Sequence, residues 1–428
     1  MTASVDQSVP PTSLRSQPDF IKLWIGQGVS MLGTSVSSVA LPLVAVITLR
    51  ASTLQVGVLS FAQTLPALPL SLFIGVVVDR VSRRRLLIAA DLGRGAVVGL
   101  VPLLAALGDL RISFMYFCMF AMGVLTMVFD ITYRSYLPDL VPESLLLRAN
   151  SQLELTRNVL SLSGKGIAGA AISVVRIPLV VTADAVSYFC SAVGLALIRR
   201  PEPQLPAKPM PGLGQVFREI REGIAAVFSN RYLRPQAINA AAINFLTQIV
   251  LTLFVVYATR SLHLSGGWIG LIFAAGSLGG VAGAMLVSRA IDRFGYGRAF
   301  LGFMITLRLA LLFVAFVRGP TPVVIALLTV LWFFALLGLV GSNICFATLR
   351  QVAVASEVRG RTNAALNALI LGALPLAALA AGVLGSAIGV HATILVASVA
   401  MPLPLLLVVF SPALRMKTVS EAAPQRAP

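Results

Sequence analysis

The sequence predicts an all-α membrane protein of twelve transmembrane helices, arranged as two six-helix pseudo-repeats. Three observations predict it. The 428 residues are 57% apolar and 11% charged, whereas soluble domains carry about 25% charged residues. The apolar residues fall into runs of span length, about 20 residues each. Two separate charge motifs recur at one shared offset of 213 residues, close to half the chain: Asp79-Arg80 returns as Asp292-Arg293, and Arg148-x-Asn150 as Arg361-x-Asn363.

Taken in order, residues 1–19 are polar and proline-rich, lack the apolar core of a signal peptide and read as a tail. Apolar runs at 20–49, 54–78, 86–107, 112–136, 148–175 and 178–198, divided by charge clusters, form a first bundle over 20–198. Residues 199–234 break the pattern. Arg199-Arg200-Pro201-Glu202-Pro203 opens a linker, and Phe217-Arg218-Glu219-Ile220-Arg221-Glu222 predicts a short amphipathic helix on the membrane face. A second bundle over 235–412 follows, with runs at 235–259, 267–288, 299–317, 322–349, 361–388 and 390–412, and residues 413–428 form a tail.

Charge sets the orientation. With both tails on one side, that side carries 24 Lys and Arg, and the other carries five: Arg50, Arg111, Arg176, Arg260 and Arg318. The positive-inside rule places both termini in the cytoplasm of a multi-pass cell-membrane protein. The net charge of +17 has no basic tail or aromatic-interleaved patch, so the expected counterpart is an anionic membrane surface and not nucleic acid. Cys118, Cys190 and Cys345 all lie in apolar runs and read as small buried hydrophobes, not as a disulfide or metal set.

Gly75-Val76-Val77-Val78-Asp79-Arg80-Val81-Ser82-Arg83-Arg84-Arg85 resembles the G-x-x-x-D-R-x-G-R-[RK] loop of the major facilitator superfamily. Ser82 stands where the second glycine is usual; the second copy keeps it as Gly295 but has Ser288 at the position of Gly75. Leu23-Trp24-Ile25-Gly26-Gln27, Leu41-Pro42-Leu43, Phe129-Asp130, Leu137-Pro138-Asp139-Leu140-Val141-Pro142, Arg148-Ala149-Asn150 and Asp184-Ala185-Val186-Ser187-Tyr188 resemble the subgroup of enterobactin and macrolide exporters. The resemblance covers about residues 20–412. It implies alternating-access transport, with an efflux direction, and a cavity lined by spans one, four, seven and ten. Two departures stand out. The subgroup often has an acidic residue after the first-span glycine, where this chain has Gly33-Thr34. It favours proline in mid-span five, where this chain has Gly164-Lys165-Gly166.

No chemistry competes with transport. The P-loop pattern fails at Gly164-Lys165-Gly166, and His263 and His391 are the two histidines, so ATP hydrolysis, a metal centre, a cofactor and a nucleophile–base pair have no home. An ion gradient, with protons as the expected partner, is the remaining driving force for a monomeric transporter of a small molecule. An importer or facilitator, and a non-transporting receptor on the same fold, are the rival readings.

Three groups of site residues follow. A cytoplasmic gate is expected from Gly75, Asp79, Arg80, Arg83, Asp130, Arg134 and Arg148, with Asp292 and Arg293 in the second copy. Carboxylates beside a span are not required for orientation, whereas Arg84 and Arg85 read as topology charges. Asp130 and Arg134, four apart on one helix, are spaced to pair. Coupling candidates are Glu154 and Lys165, on one stripe of the fifth span with Asn158 and Ser161, and Asp184 as a partner for Lys165. The cavity candidates are Gln27, Ser30 and Thr34 in span one, Met122 and Thr126 in span four, Asn244 and Gln248 in span seven, and Trp332 and Asn343 in span ten. Amides, hydroxyls, thioethers and aromatics suit a moderately apolar ligand, and the same side chains also suit helix packing. Arg308, mid-span in the ninth helix, is expected to pair or snorkel at the periphery.

Overall fold

A computed structural model describes residues 13–66, 78, 80–175, 177–200, 213–354 and 359–422, and among these every regular element is helical. The first half contains α1 (Pro18–Leu43), α2 (Thr53–Thr64), α3 (Arg83–Leu107), α4 (Ile112–Leu140), α5 (Glu143–Val174) and α6 (Ile177–Ala196). After the linker helix α7 (Leu213–Ser229) come α8 (Leu233–Arg260), α9 (Gly266–Phe294), α10 (Tyr296–Val314), α11 (Thr321–Ala353), α12 (Arg359–Ala387), α13 (Val390–Ala400) and α14 (Leu403–Val409).

Among the described residues, ten stretches are long and apolar enough to cross a membrane. The other two expected spans fall on α2, whose continuation lies outside the described residues, and on α5. The latter is 32 residues long but carries Glu154, Arg157 and Lys165. Local chemistry sets the ends. Ser52 and Gln55 form a reciprocal capping box that starts α2. Gly108, at φ 77°, closes α3 in the left-handed region that glycine alone enters without strain. Pro42 interrupts the α1 ladder, and the chain continues as a single π-turn over Val44–Thr48.

The expected last span, 390–412, is two helices. Met401-Pro402 breaks it, because proline cannot donate into the ladder. Leu405 bonds back to the Pro402 carbonyl, which leaves the Met401 carbonyl open to an outside donor.

Within each half the same pairings recur. In the first, α1 packs on α5 and α6, α2 on α4, and α3 on α4 and α6; in the second, α8 packs on α12 and α13, α9 on α11, and α10 on α11 and α13. The halves meet through α2 against α12 and α5 against α9. At the ends of the helices remote from the tails, one apolar core spans both halves, joining Leu43, Val44 and Ala45 to Val250, Phe254 and Ala258. There the backbones of Gly57 and Gly382 touch, and Arg260 donates to the Ala51 carbonyl. Nearer the tails the cores separate, one around Phe20, Leu87 and Tyr136, the other around Tyr296, Phe300 and Leu349. The structure is therefore closed on the remote side.

Beyond α14 the chain folds back. Tyr296 and Gly297 donate their backbone N–H groups to the carbonyls of Lys417 (2.9 Å) and Met416 (3.0 Å). The backbone amides of Thr418 and Lys417 hold the Glu421 carboxyl below the usual carboxylate range.

Candidate functional site

A cavity of about 300 Å³ opens inside the first half, lined by Thr34, Ser37 and Leu41 of α1, Met122 and Thr126 of α4, and Tyr188 of α6, with Asp130 at one end. Pro42 also faces it, so the π-turn lies at its edge. Size and lining match a small-molecule site: mostly apolar walls with a few directed polar groups.

Behind this wall lies a buried charge cluster. Asp91 and Arg94 of α3, at 0% and 3% exposure, form an ion pair one turn apart. The Arg94 guanidinium lies between two rings, 4.1 Å from the Phe129 centroid and 4.6 Å from that of Tyr188. Desolvated cation–π contacts of this kind contribute about 2 kcal/mol. Asp184, at 0% exposure, feels the Arg94 charge from α6. Ser187 donates to its backbone carbonyl at 2.7 Å and to Oδ1 at 3.3 Å, and the Ser37 hydroxyl of α1 is the carboxyl's other hydrogen-bonding neighbour.

Two carboxyl groups thus face one guanidinium. Thr34 spends its single proton on the Ser30 carbonyl (2.9 Å), so at 2.8 Å the Tyr188 hydroxyl is the donor to Thr34. Tyr188 consequently touches the cavity with its hydroxyl and the guanidinium with its ring.

Gly33 makes this arrangement possible. A Cβ there would collide with Asp184 Oδ1 and Ser187 Oγ and stand 3.1 Å from Asp184 Cα. The acidic residue that the subgroup often carries after this glycine is replaced by Thr34, and a carboxylate reaches the same neighbourhood from α6.

The second half repeats the arginine without the acids. Arg308 is not peripheral: it is 3% exposed and bonds Asn239 Oδ1 (2.6 Å), the Met304 carbonyl (2.8 Å) and the Met401 carbonyl (3.0 Å) freed by the helix break. All three partners are neutral. A recess of about 40 Å³ beside it is lined by Asn244 and Asn343.

The remaining expected residues are placed as follows. Gly75 and Asp79 lie outside the described residues, as do the side chains of Glu154, Asn158, Ser161 and Lys165. The expected pairing of Lys165 with Asp184 is therefore not described. Arg83 pairs with Asp139 (2.7 Å) and the Ser135 carbonyl (2.9 Å). Asp130 pairs across helices with Arg157 at 3.1 Å instead of along its own helix with Arg134, which is exposed. Arg80, Arg148, Asp292 and Arg293 are exposed near the tails. Gln27 and Ser30 are buried away from the cavity lining. Gln248 bonds Thr252 at 3.3 Å, and Trp332 stacks on Phe254 with centroids 4.5 Å apart, which makes it part of the shared core.

Sequence reasoning passed over Asp91, Arg94, Asp139 and Arg157. The signal for the first two was available: opposite charges three apart in an otherwise apolar span need mutual satisfaction inside a membrane.

Residues 23–373 match the Major Facilitator Superfamily. The chain belongs to that superfamily. Among characterised relatives, the multidrug efflux pump Tap of Mycolicibacterium fortuitum is 28% identical over 393 residues, covering 90% of this chain and 93% of the pump. Macrolide efflux protein A of Streptococcus pyogenes is 25% identical over 217 residues, 50% of this chain and 52% of that protein. A bacterial homologue of the iron transporter ferroportin, in an inward-facing state, superposes with a TM-score of 0.71 at 18% identity, covering 93% and 98% of the two chains. A bacterial homologue of the lysosomal transporter Spinster, inward-facing and unoccupied, gives 0.67 at 14%, covering 96% and 98%. The protein is thus a multi-pass membrane transporter of the superfamily and not an enzyme, and its two-bundle fold is that of these structures.

Proposed function

We propose that the protein exports a small organic compound, such as an antibiotic, a secondary metabolite or a siderophore, in exchange for protons. The observation that carries this reading is the asymmetry between the halves. Arg94 faces two carboxyl groups, one turn and one helix away, against the cavity wall, whereas Arg308 faces neutral acceptors. The proton site belongs to the first half, at Asp184 with Asp91. A proton on either acid leaves one carboxylate matched to one guanidinium; its release leaves an excess negative charge behind Tyr188 and Thr34, at the substrate's wall. The names of the relatives support the efflux direction.

The test has two stages. Susceptibility of cells with and without the gene across a compound panel selects a substrate, and everted vesicles then measure its uptake driven by a pH gradient. Asp184→Asn, at matched abundance, is expected to lose gradient-driven accumulation while retaining substrate exchange across the membrane. Accumulation that continues in this variant, still collapsed by a proton ionophore, would remove Asp184 from coupling.

Orientation is part of the same proposal, because it decides which side of the membrane the cavity of this state, closed on the remote side, faces. The charge bias supports a cytoplasmic position for the tails, and with them for the side on which the two cores separate. A reporter fused after Glu202 is expected to read cytoplasmic, and one after Arg318 external. Reversed readings would overturn the orientation and, with it, the twelve-span assignment on which it rests.

A further inference from the structure

The second bundle buries a positive charge that its own sequence does not answer. Between residues 235 and 412 the acidic residues are Asp292 and Glu357. Asp292 is exposed in the last turn of α9, and in sequence Glu357 falls between Ala353, which ends α11, and Arg359, which starts α12. Among the described residues, no charged side chain acts on Arg308, inside α10.

A guanidinium carries five N–H groups. Asn239 Oδ1 and the carbonyls of Met304 and Met401 take three of those on Arg308. Gln236, 1% exposed, holds its Nε2 amide buried with no acceptor. Both side chains line the recess of about 40 Å³ between α8, α10 and α11, with Asn239, Asn244 and Asn343. Asn343 can turn its NH2 group inward as readily as its oxygen. Unused donors therefore line a space beside a fixed positive charge. Burying a cation without a counter-charge is costly, and a neutral occupant leaves that cost in place. Volume sets the size of the occupant. A water takes about 30 Å³, so the recess admits one occupant little larger than water, and an organic acid does not fit. We propose that the recess binds a small monovalent anion of the chloride class, between Arg308 and Gln236. The two halves then balance their buried arginines differently, the first with fixed carboxyl groups and the second with an exchangeable ion. Asn343 is exposed, and an amide is costly to expose to hydrocarbon, so the recess opens on the gap between the halves, from which an ion can enter. The site uses no residue of the first half and stands apart from proton exchange.

The probes are chloride, bromide and gluconate. The thermal transition of the full-length protein in lipid nanodiscs is measured in each sodium salt at constant ionic strength. Chloride and bromide are expected to raise it saturably, and gluconate, too large for the recess, is not. Gln236→Met keeps the length of the side chain and removes the donor. It is expected to raise the half-saturating chloride concentration about tenfold, the effect of losing one hydrogen bond to a charged partner. Asn343→Asp supplies a carboxylate from the chain itself and is expected to abolish the chloride response. Equal transitions in chloride and gluconate for the wild type would overturn the proposal and leave the recess to water. A chloride response unchanged in whichever of the two variants folds would overturn it as well, by placing the ion elsewhere.

Discussion

Replacing Arg94 by leucine is expected to destabilise the protein by about 3–5 kcal/mol, the cost of removing one partner from a buried ion pair. The loss would appear as a large fall in the thermal transition of the purified protein and in its abundance in the membrane. Asp91 and Asp184 are both buried and would be left facing each other's charge without the cation that both feel. Arg94→Lys is expected to rescue little, because a point charge cannot lie flat between the rings of Phe129 and Tyr188. Arg308→Leu is the control. It removes donors from three neutral acceptors but strands no charge, so it is expected to cost less than Arg94→Leu. Asp91→Asn combined with Arg94→Gln is expected to recover part of the stability and none of the proton-driven transport. Equal destabilisation by Arg94→Leu and Arg308→Leu would show that the acids do not depend on Arg94.

The second large effect is expected at Gly57. Its absent side chain lets α2 lie directly on α12: a Cβ there would come within 2.7 Å of the Gly382 nitrogen and 2.9 Å of the Ala378 carbonyl oxygen. Backbone cannot move aside as a flexible side chain can. Gly57→Val therefore places about 1–3 kcal/mol of overpacking strain on the state closed at this side and none on the state where the helices part. That shifts the balance about 5- to 150-fold towards the state open on the remote side. Transport is expected to fall in proportion while the protein stays folded. The check is a thiol at Leu41, which lines the cavity, in a background with Cys118, Cys190 and Cys345 replaced. An impermeant reagent added from the remote side should label it faster in Gly57→Val than in the parent. Unchanged labelling would mean that the glycine contact does not hold the closed state.

The helices were legible because apolar runs and charge clusters are local properties, and the 213-residue offset made the duplication visible without any structure. What could not be read was partnership across helices. Asp130 with Arg134 is the pair that spacing suggests; Arg157, twenty-seven residues away, lies where α5 crosses α4. Trp332 was expected at the cavity because an aromatic in span ten suits a ligand. The same ring also fills the space between Phe254 and Phe273, and composition does not separate these uses. Two prolines in four residues mark the break at Met401-Pro402, but no local pattern ties Arg308 to the carbonyl it frees.

The docking of residues 416 and 417 on the start of α10 has a consequence for how the chain is made. The Tyr296 and Gly297 amides belong to a helix synthesised about 120 residues before their acceptors. Until those acceptors leave the ribosome, this helix must hold its first turn with water or lipid headgroups in their place. The second bundle therefore reaches its final set of hydrogen bonds after insertion of its spans is over. A truncation before Met416 is expected to insert normally and then fail quality control, a defect that belongs to maturation and not to transport.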